Sequence, residues 1–499
     1  MELNELLEQL DTLQKKLYAY DAAGNSLYLD AVTVAPKETS AGRGLALSIL
    51  AGESHKLLIS PETGELLKNL EARNGELDPV QKREVEMLRR NVDQISRIPT
   101  EEYMEYVSLM NDAEDVWHRA KEESDFKAFE PYLDRLVKFN RKLAGYYDAE
   151  KKPYDALLNE YERGMTMEKL DGFFDTLRTH ITPLLKEITE TEQIDDSFLH
   201  VHYPIEQQRE LSDYLMEVMG IDRAHCGLGE TEHPFTLQFT SQDVRITTHY
   251  FEDAPASSMY SVIHEGGHAT YCLNVDPKLD YTCLTDGASM GIHESQSRFY
   301  ENMIGRSMAF VEAIFPKMQE LFPKQLEGIT PEGFYRAINK AEPSLIRTES
   351  DELTYSLHIM IRYEIEKQLI GGTLEAKDVP AEWNRLYREY LGVDVPDDKQ
   401  GCLQDSHWAG GNFGYFPSYA LGNAYAAQML QKMEAESDIW ADVRKGDLSS
   451  VTAWLKEHVH HYGQMLEPNE IVDIACGDFD PTVYTTYLEE KYRKLYHLA

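Results

Sequence analysis

Positive charge is scarce in this chain. Lys and Arg number 49 against 87 Asp and Glu, a formal net charge of −38 over 499 residues. A field of that sign repels phosphate backbones and anionic headgroups, which excludes nucleic acid and membrane surfaces as partners, and its plain consequence is solubility. Cysteine is sparse as well: five residues, at 226, 272, 283, 402 and 476, odd in number and with no CxxC pair. That usage excludes a disulfide-stapled scaffold and fits a reducing compartment. No apolar run approaches the roughly 20 residues a membrane helix needs. The opening MELNELLEQLDTLQKKL is acidic and amphipathic, without the basic and apolar regions of a secretory signal. The expectation is a cytoplasmic protein. Linkers, internal repeats and low-complexity tracts are missing too, so the 42% hydrophobic content is available to one large core.

What is present is helical periodicity. Leu3, Leu6, Leu7, Leu10, Leu13 and Leu17 mark a first helix, and further helices are predicted at 41–59, 79–96 (capped by Asp78 and opened by Pro79), 100–122, 127–147 and 167–190. The pattern changes at 226–250. There a Gly-rich turn leads into two runs of period 2, 234–239 and 244–250, rich in β-branched and aromatic residues, which predict a hairpin or small sheet. Helices resume at 287–320, 331–341, 350–370 and 381–391. A loop over 393–416 interrupts them, and Pro417 opens the closing helices, which run to about 493.

The sheet feeds the run from Asp253 to Val275, which reads as a helix containing His264-Glu265-Gly266-Gly267-His268. Positions four apart share a helix face, so His264 and His268 present two imidazoles to one point, as a metal ion requires. Glu265, one position round, is angled to reach a water in the ion's open position rather than to coordinate, which suits a general base. Asp253 is the expected N-cap, with Pro255 in the first turn. Glycine inside a helix costs about 1 kcal/mol relative to Ala, so the pair at 266 and 267 predicts that another segment or a ligand passes very close. The third ligand is expected from Glu294, in Gly291-Ile292-His293-Glu294-Ser295-Gln296, with His293 as its local alternative. Two His and one Glu with one position open form a catalytic zinc set.

The 393–416 loop is dense in chemistry, carrying Gln404, Asp405, His407, Trp408 and Tyr415, and loops of that length in a compact chain are usually functional. Hydrolysis of an amide builds an oxyanion that needs donors; His407 and Tyr415 are the candidates, with Tyr419 third. Reading a C-terminal carboxylate calls for the planar fork of an arginine, and Arg347 and Arg245 are both placed near the other motifs. An edge strand beside the zinc helix would hold an extended peptide by main-chain hydrogen bonds.

Five stretches, HEGGH at 264–268, the HESQ carrying Glu294, DVRIT at Asp243 to Thr247, IRTESD at Ile346 to Asp351 and GCLQDSHW at Gly401 to Trp408, together resemble the M32 family of metallocarboxypeptidases. The resemblance implies a mainly α, two-lobed gluzincin-type body with a deep groove and a small β-sheet or hairpin before the zinc helix. It implies one peptidase unit over 1–499: a helical part, 1–220, forming much of one groove wall, the zinc and substrate motifs in 221–430, and C-terminal helices in 431–499. It also implies a homodimer, one Zn2+ per chain with Co2+ able to substitute, and release of C-terminal residues from peptides with broad specificity. On the same footing Glu265 is base and acid, and His407 and Tyr415 steady the intermediate. Arg245 or Arg347 reads the substrate carboxylate, while Tyr419, Asp243 and Gln404 are further substrate-binding positions. One departure is Tyr28-Leu29-Asp30-Ala31, where the family usually shows a Trp-Asp pair. A zinc oligoendopeptidase or aminopeptidase on the same scaffold is the alternative within enzymes. A non-catalytic peptide-binding protein is the alternative outside them, and retention of Glu265 with all three ligands argues against it.

Overall fold

The computed structural model describes residues 2–36 and 38–498 and is mainly helical, with one three-stranded sheet among the described residues. Two apolar cores organise it. The smaller is an N-terminal cluster in which Leu6, Leu10 and Leu13 of the first helix (Leu3–Thr33) meet Leu66, Leu67 and Leu70 of Pro61–Glu71 and Val85, Leu88 and Val92 of Pro79–Ser96. The larger runs from Met87 to Tyr496 and surrounds the sheet and the helices that follow it. Polar ties join the two: the Cys283 N–H donates to Gln14 Oε1 at 2.9 Å, and Arg83 donates to the Gln464 carbonyl at 2.8 Å. Tyr28, at the family departure, packs its ring 5.5 Å from Phe235.

Several helices match the periodicity closely, and Pro79–Ser96 is capped by Asp78 with Gln81 returning the bond. Three were not expected: Pro61–Glu71, Pro153–Tyr161 and Ile205–Val218. In two of them a proline occupies the first turn, where a missing N–H costs nothing, so it opens a helix instead of breaking one. The expected 287–320 helix is divided into Met290–Arg298, a π-turn over Phe299–Ile304 and Met308–Leu321. Helix Ser40–Leu58 fully buries none of its side chains, and Leu45 and Ile49 on it are exposed.

The sheet has three strands where a hairpin was the minimum expectation: β1 (Cys226–Glu230), β2 (Thr236–Thr240) and β3 (Asp243–Thr248), in the order β1-β3-β2. β2 and β3 pair antiparallel, with a register shift between Gln238 and Thr240, while β1 pairs parallel to β3. β1 was hidden in the Gly-rich stretch read as a turn. β2 is left as an edge strand, and alternation points Val244 and Ile246 of β3, both fully buried, towards the large core.

Candidate metal centre

Helix Pro255–Asn274 carries His264, Glu265 and His268. Its N-cap is Ala254 with no side-chain cap bond, so Asp253 does not cap it; Pro255 does take the first turn. Both glycines are explained by what lies against them. A Cβ at Gly266 would come 2.8 Å from the Met219 side chain, and one at Gly267 would come 2.7 Å from Gln296 O and Ser297 Cα, which are backbone atoms of the helix that carries Glu294. On that helix's other side Gly422, in Pro417–Glu436, does the same: its Cβ would lie 2.6 Å from Glu294 Cγ. Helix Met290–Arg298 is thus seated in a slot floored on both sides by glycine.

The slot delivers Glu294 to the two imidazoles. Glu294 Oε2 lies 3.8 Å from His264 Nε2 and 3.7 Å from His268 Nε2. One ligand atom from each of the three falls within 4.8 Å of the others, and among the described residues no other His, Cys, Asp and Glu group converges in this way. Donors about 2.1 Å from a tetrahedral ion stand about 3.4 Å apart, so the gap is the size of a divalent cation.

The rear nitrogens of both rings are engaged. His264 Nδ1 is 2.8 Å from Glu301 Oε2, which keeps the proton on that nitrogen and turns the Nε2 lone pair inward. His268 Nδ1 is 2.6 Å from His293 Nδ1. His293, the alternative to Glu294 as a ligand, therefore stands behind His268 with its Nε2 3.9 Å from Asp286. Burial, reinforced by the neighbouring rings of His293 and His264, holds His268 well below the ordinary imidazole value and keeps it neutral, the form that ligates. Burial works against ionisation of Glu301 too, but Arg298, His264 and Arg306 overrule it and hold the carboxylate charged.

Glu265 lies beside this cluster, buried, and faces the edge strand: Thr236 Oγ1 donates to its Oε2 at 2.6 Å. Burial pushes the Glu265 carboxyl above its ordinary range, with His264 and Thr236 pulling against it and Glu294 and Glu301 adding to it.

A second cluster is aromatic. His407 Nε2 is 3.2 Å from Tyr419 Oη, and the Tyr415 ring lies 5.4 Å from His407 and 5.1 Å from Tyr419. Burial raises both phenols, and the Glu294 charge contributes to each, so both tyrosines keep their protons. Burial sets the His407 ring, against the pull of Asp405, down to about 4, so it is neutral at neutral pH. Its Nδ1 is buried with no hydrogen-bond partner among the described residues.

The arginine motifs differ in setting. Arg347 is buried and donates twice to Asp405 Oδ1, at 3.0 and 2.8 Å, and once to Tyr355 Oη at 3.1 Å, while lying 5.1 Å over the Tyr419 ring. Asp405 also receives Arg362 at 2.7 Å. Gln404 is a brace: its Oε1 accepts from the Arg347 N–H and Arg362, and its amide nitrogen donates to the Leu345 carbonyl at 3.1 Å. Both ends of the Gln404 amide, which the sequence offers as a substrate contact, are thus occupied inside the chain. Arg245 and Asp243 form a half-exposed pair, Nε to Oδ1 at 2.7 Å and Nη2 to Oδ2 at 3.0 Å. Strand alternation places both on the sheet face opposite to Val244 and Ile246. Thr236, paired with Ile246, turns to Glu265 on that other face, so Arg245 and Asp243 point away from the metal helix.

Four residues of the site were not singled out in the sequence: Arg298, Glu301, Tyr355 and Arg362. For the first two a signal existed, because they follow Glu294 at i+4 and i+7 and so share its helix face.

The family model described as carboxypeptidase Taq (M32) metallopeptidase matches residues 9–492. Carboxypeptidase 1 of Bacillus subtilis is 42% identical over 501 residues, covering 100% of this chain and 100% of that protein. Thermostable carboxypeptidase 1 of Pyrococcus furiosus is 34% identical over 494 residues, 98% of this chain and 99% of that one. The crystal structure of an M32 carboxypeptidase from Deinococcus radiodurans R1 superposes with a TM-score of 0.97 at 34% identity, covering 99% of this chain and 100% of that one.

Proposed function

This chain belongs to the M32 family of metallocarboxypeptidases, and from that premise we propose that it releases the C-terminal residue of peptides with broad specificity, using one zinc ion held by His264, His268 and Glu294. Cobalt would substitute in the same donor set. The observation that carries the reading is the ion-sized convergence of those three ligand atoms with the buried carboxylate of Glu265 beside them.

Bound there, a divalent cation supplies Lewis acidity towards a water and towards the scissile carbonyl. The chain's own groups handle the proton and the developing charge. Glu265 takes the proton of the attacking water and returns it to the departing amine. Tyr415 and Tyr419, protonated and close enough to feel the Glu294 charge, donate to the oxyanion, and neutral His407 orients Tyr419. For the substrate carboxylate we favour Arg347 over Arg245. A guanidinium has five N–H donors, and the three bonds Arg347 makes leave two, beside the Tyr419 ring. The edge of β2 next to Glu265 holds the peptide main chain.

The stretches 1–220, 221–430 and 431–499 act as one peptidase unit, working as a homodimer on peptides with a free C-terminus, without nucleic acid or membrane partners. A cytoplasmic location is supported by five unpaired cysteines. No helix among the described residues is long and apolar enough to cross a membrane. The test is a pair of peptides differing only at the C-terminus. The free acid is cleaved from its end and the amide is not; equal hydrolysis of both would overturn the carboxypeptidase reading.

A further inference from the structure

Two of the three metal ligands lead to one guanidinium. Arg298 Nε donates to Glu294 Oε1 at 2.7 Å, leaving Oε2 to face the histidines. Arg298 Nη1 donates to Glu301 Oε2 at 3.0 Å, and the same oxygen takes His264 Nδ1 at 2.8 Å. Glu294 is thus held directly and His264 through one intervening carboxylate. The guanidinium lies 4.3 Å over the ring of Tyr355, whose hydroxyl is in turn held by Arg347. Arg306 approaches the other Glu301 oxygen at 3.6 Å. Glu294, Arg298 and Glu301 occupy one helix face at i, i+4 and i+7, and the chain passes into the π-turn Phe299–Ile304 immediately after Arg298.

We propose that Arg298 is the positioning residue of the metal centre, spacing the Glu294 carboxylate against the Glu301–His264 pair through its planar fork. The inference rests on the reading of His264, His268 and Glu294 as metal ligands. An arginine fork presents its N–H groups at fixed angles, so two carboxylates bound to one guanidinium are set in distance and orientation together. A lysine is a point charge on a flexible stem and fixes neither. Stacking on Tyr355 removes the remaining freedom, rotation of the plane. Sequence spacing gave no hint that one cation serves two ligands, because the link to His264 runs through a residue 37 positions away in the chain.

The test is zinc affinity, read by competition with a chromophoric chelator, together with the melting temperature of the metal-free protein. Arg298→Lys keeps the charge and loses the fork. Zinc binding is expected to weaken about 10- to 100-fold, the usual effect of losing a partner behind a ligand, with the metal-free melting temperature close to that of the parent protein. Glu301→Gln reads the same bridge from its other end and is expected to weaken zinc binding in the same direction, which keeps the test open if Arg298→Lys does not fold. Affinity within twofold of the parent in a folded variant would overturn the role of Arg298. Absence of zinc binding in the parent protein would instead overturn the metal reading beneath it.

Discussion

Replacing Gly267 by Ala tests the packing that brings Glu294 to the histidines. The added methyl would stand 2.7 Å from Gln296 O and Ser297 Cα and 3.1 Å from Gln296 C. All three are backbone atoms of the crossing helix, so no side chain can swing aside, and reaching ordinary contact requires the helices to part by about 0.7 Å or more. Two energies compete. Gly to Ala in a helix gains about 1 kcal/mol, and overpacking a close contact costs about 1–3 kcal/mol. The balance is a net loss of up to about 2 kcal/mol. The displacement matters more than the stability, because metal–ligand distances tolerate only about 0.2 Å, and the moving helix carries Glu294, the third ligand of the proposed site. Gly172→Ala is the control: it lies in Met167–Thr189 with nothing within 4 Å of its Cβ, so only the favourable helix contribution acts. Measured side by side, Gly172→Ala should melt slightly higher and bind zinc normally, while Gly267→Ala should bind zinc at least tenfold more weakly and melt at or below the parent. If the two variants behave alike, the crossing is looser than described and the argument from the glycine slot fails.

Glu265→Gln should retain zinc while hydrolysis falls by about 10²- to 10⁴-fold, the range for removing a general base; normal turnover would place the base elsewhere. Glu366 gives a stability–pH signature. It accepts from Tyr154, Trp408 and the Gly414 N–H, yet burial outweighs those donors and pushes its carboxyl up to about 7. A carboxyl raised above its unfolded value favours the fold while protonated. Its contribution is therefore complete below the ordinary carboxylate range and is lost as pH rises through about 7. The melting temperature of the parent relative to Glu366→Gln should fall between pH 5 and 8, and a flat difference would refute the assignment.

The legible part of this molecule was local. Helical periodicity and caps are read within a few residues, so Pro79–Ser96 emerged with its Asp78 cap, and the HEGGH spacing put two imidazoles on one face without any tertiary information. The glycine pair was legible as a sign of close approach, though not of which segments approach. What escaped needed distance. Asp405 joins Arg347 and Arg362 across 58 and 43 positions, and this consumed Gln404, which in sequence sat beside His407 as an apparent substrate contact. Arg245 looked equivalent to Arg347 until strand alternation turned it to the other face of the sheet. Short helices such as Pro153–Tyr161 were lost because a proline at the start of a helix and a proline in a loop look alike without the cap geometry around them.

Helix Ser40–Leu58 buries none of its side chains fully and meets the smaller core only at its C-terminal end, where Leu57 and Leu58 pack against it half-buried. Its opening therefore takes little apolar surface out of protection, and that puts it at the low end of the local-stability scale, where amide hydrogens exchange early and a protease finds its first cut.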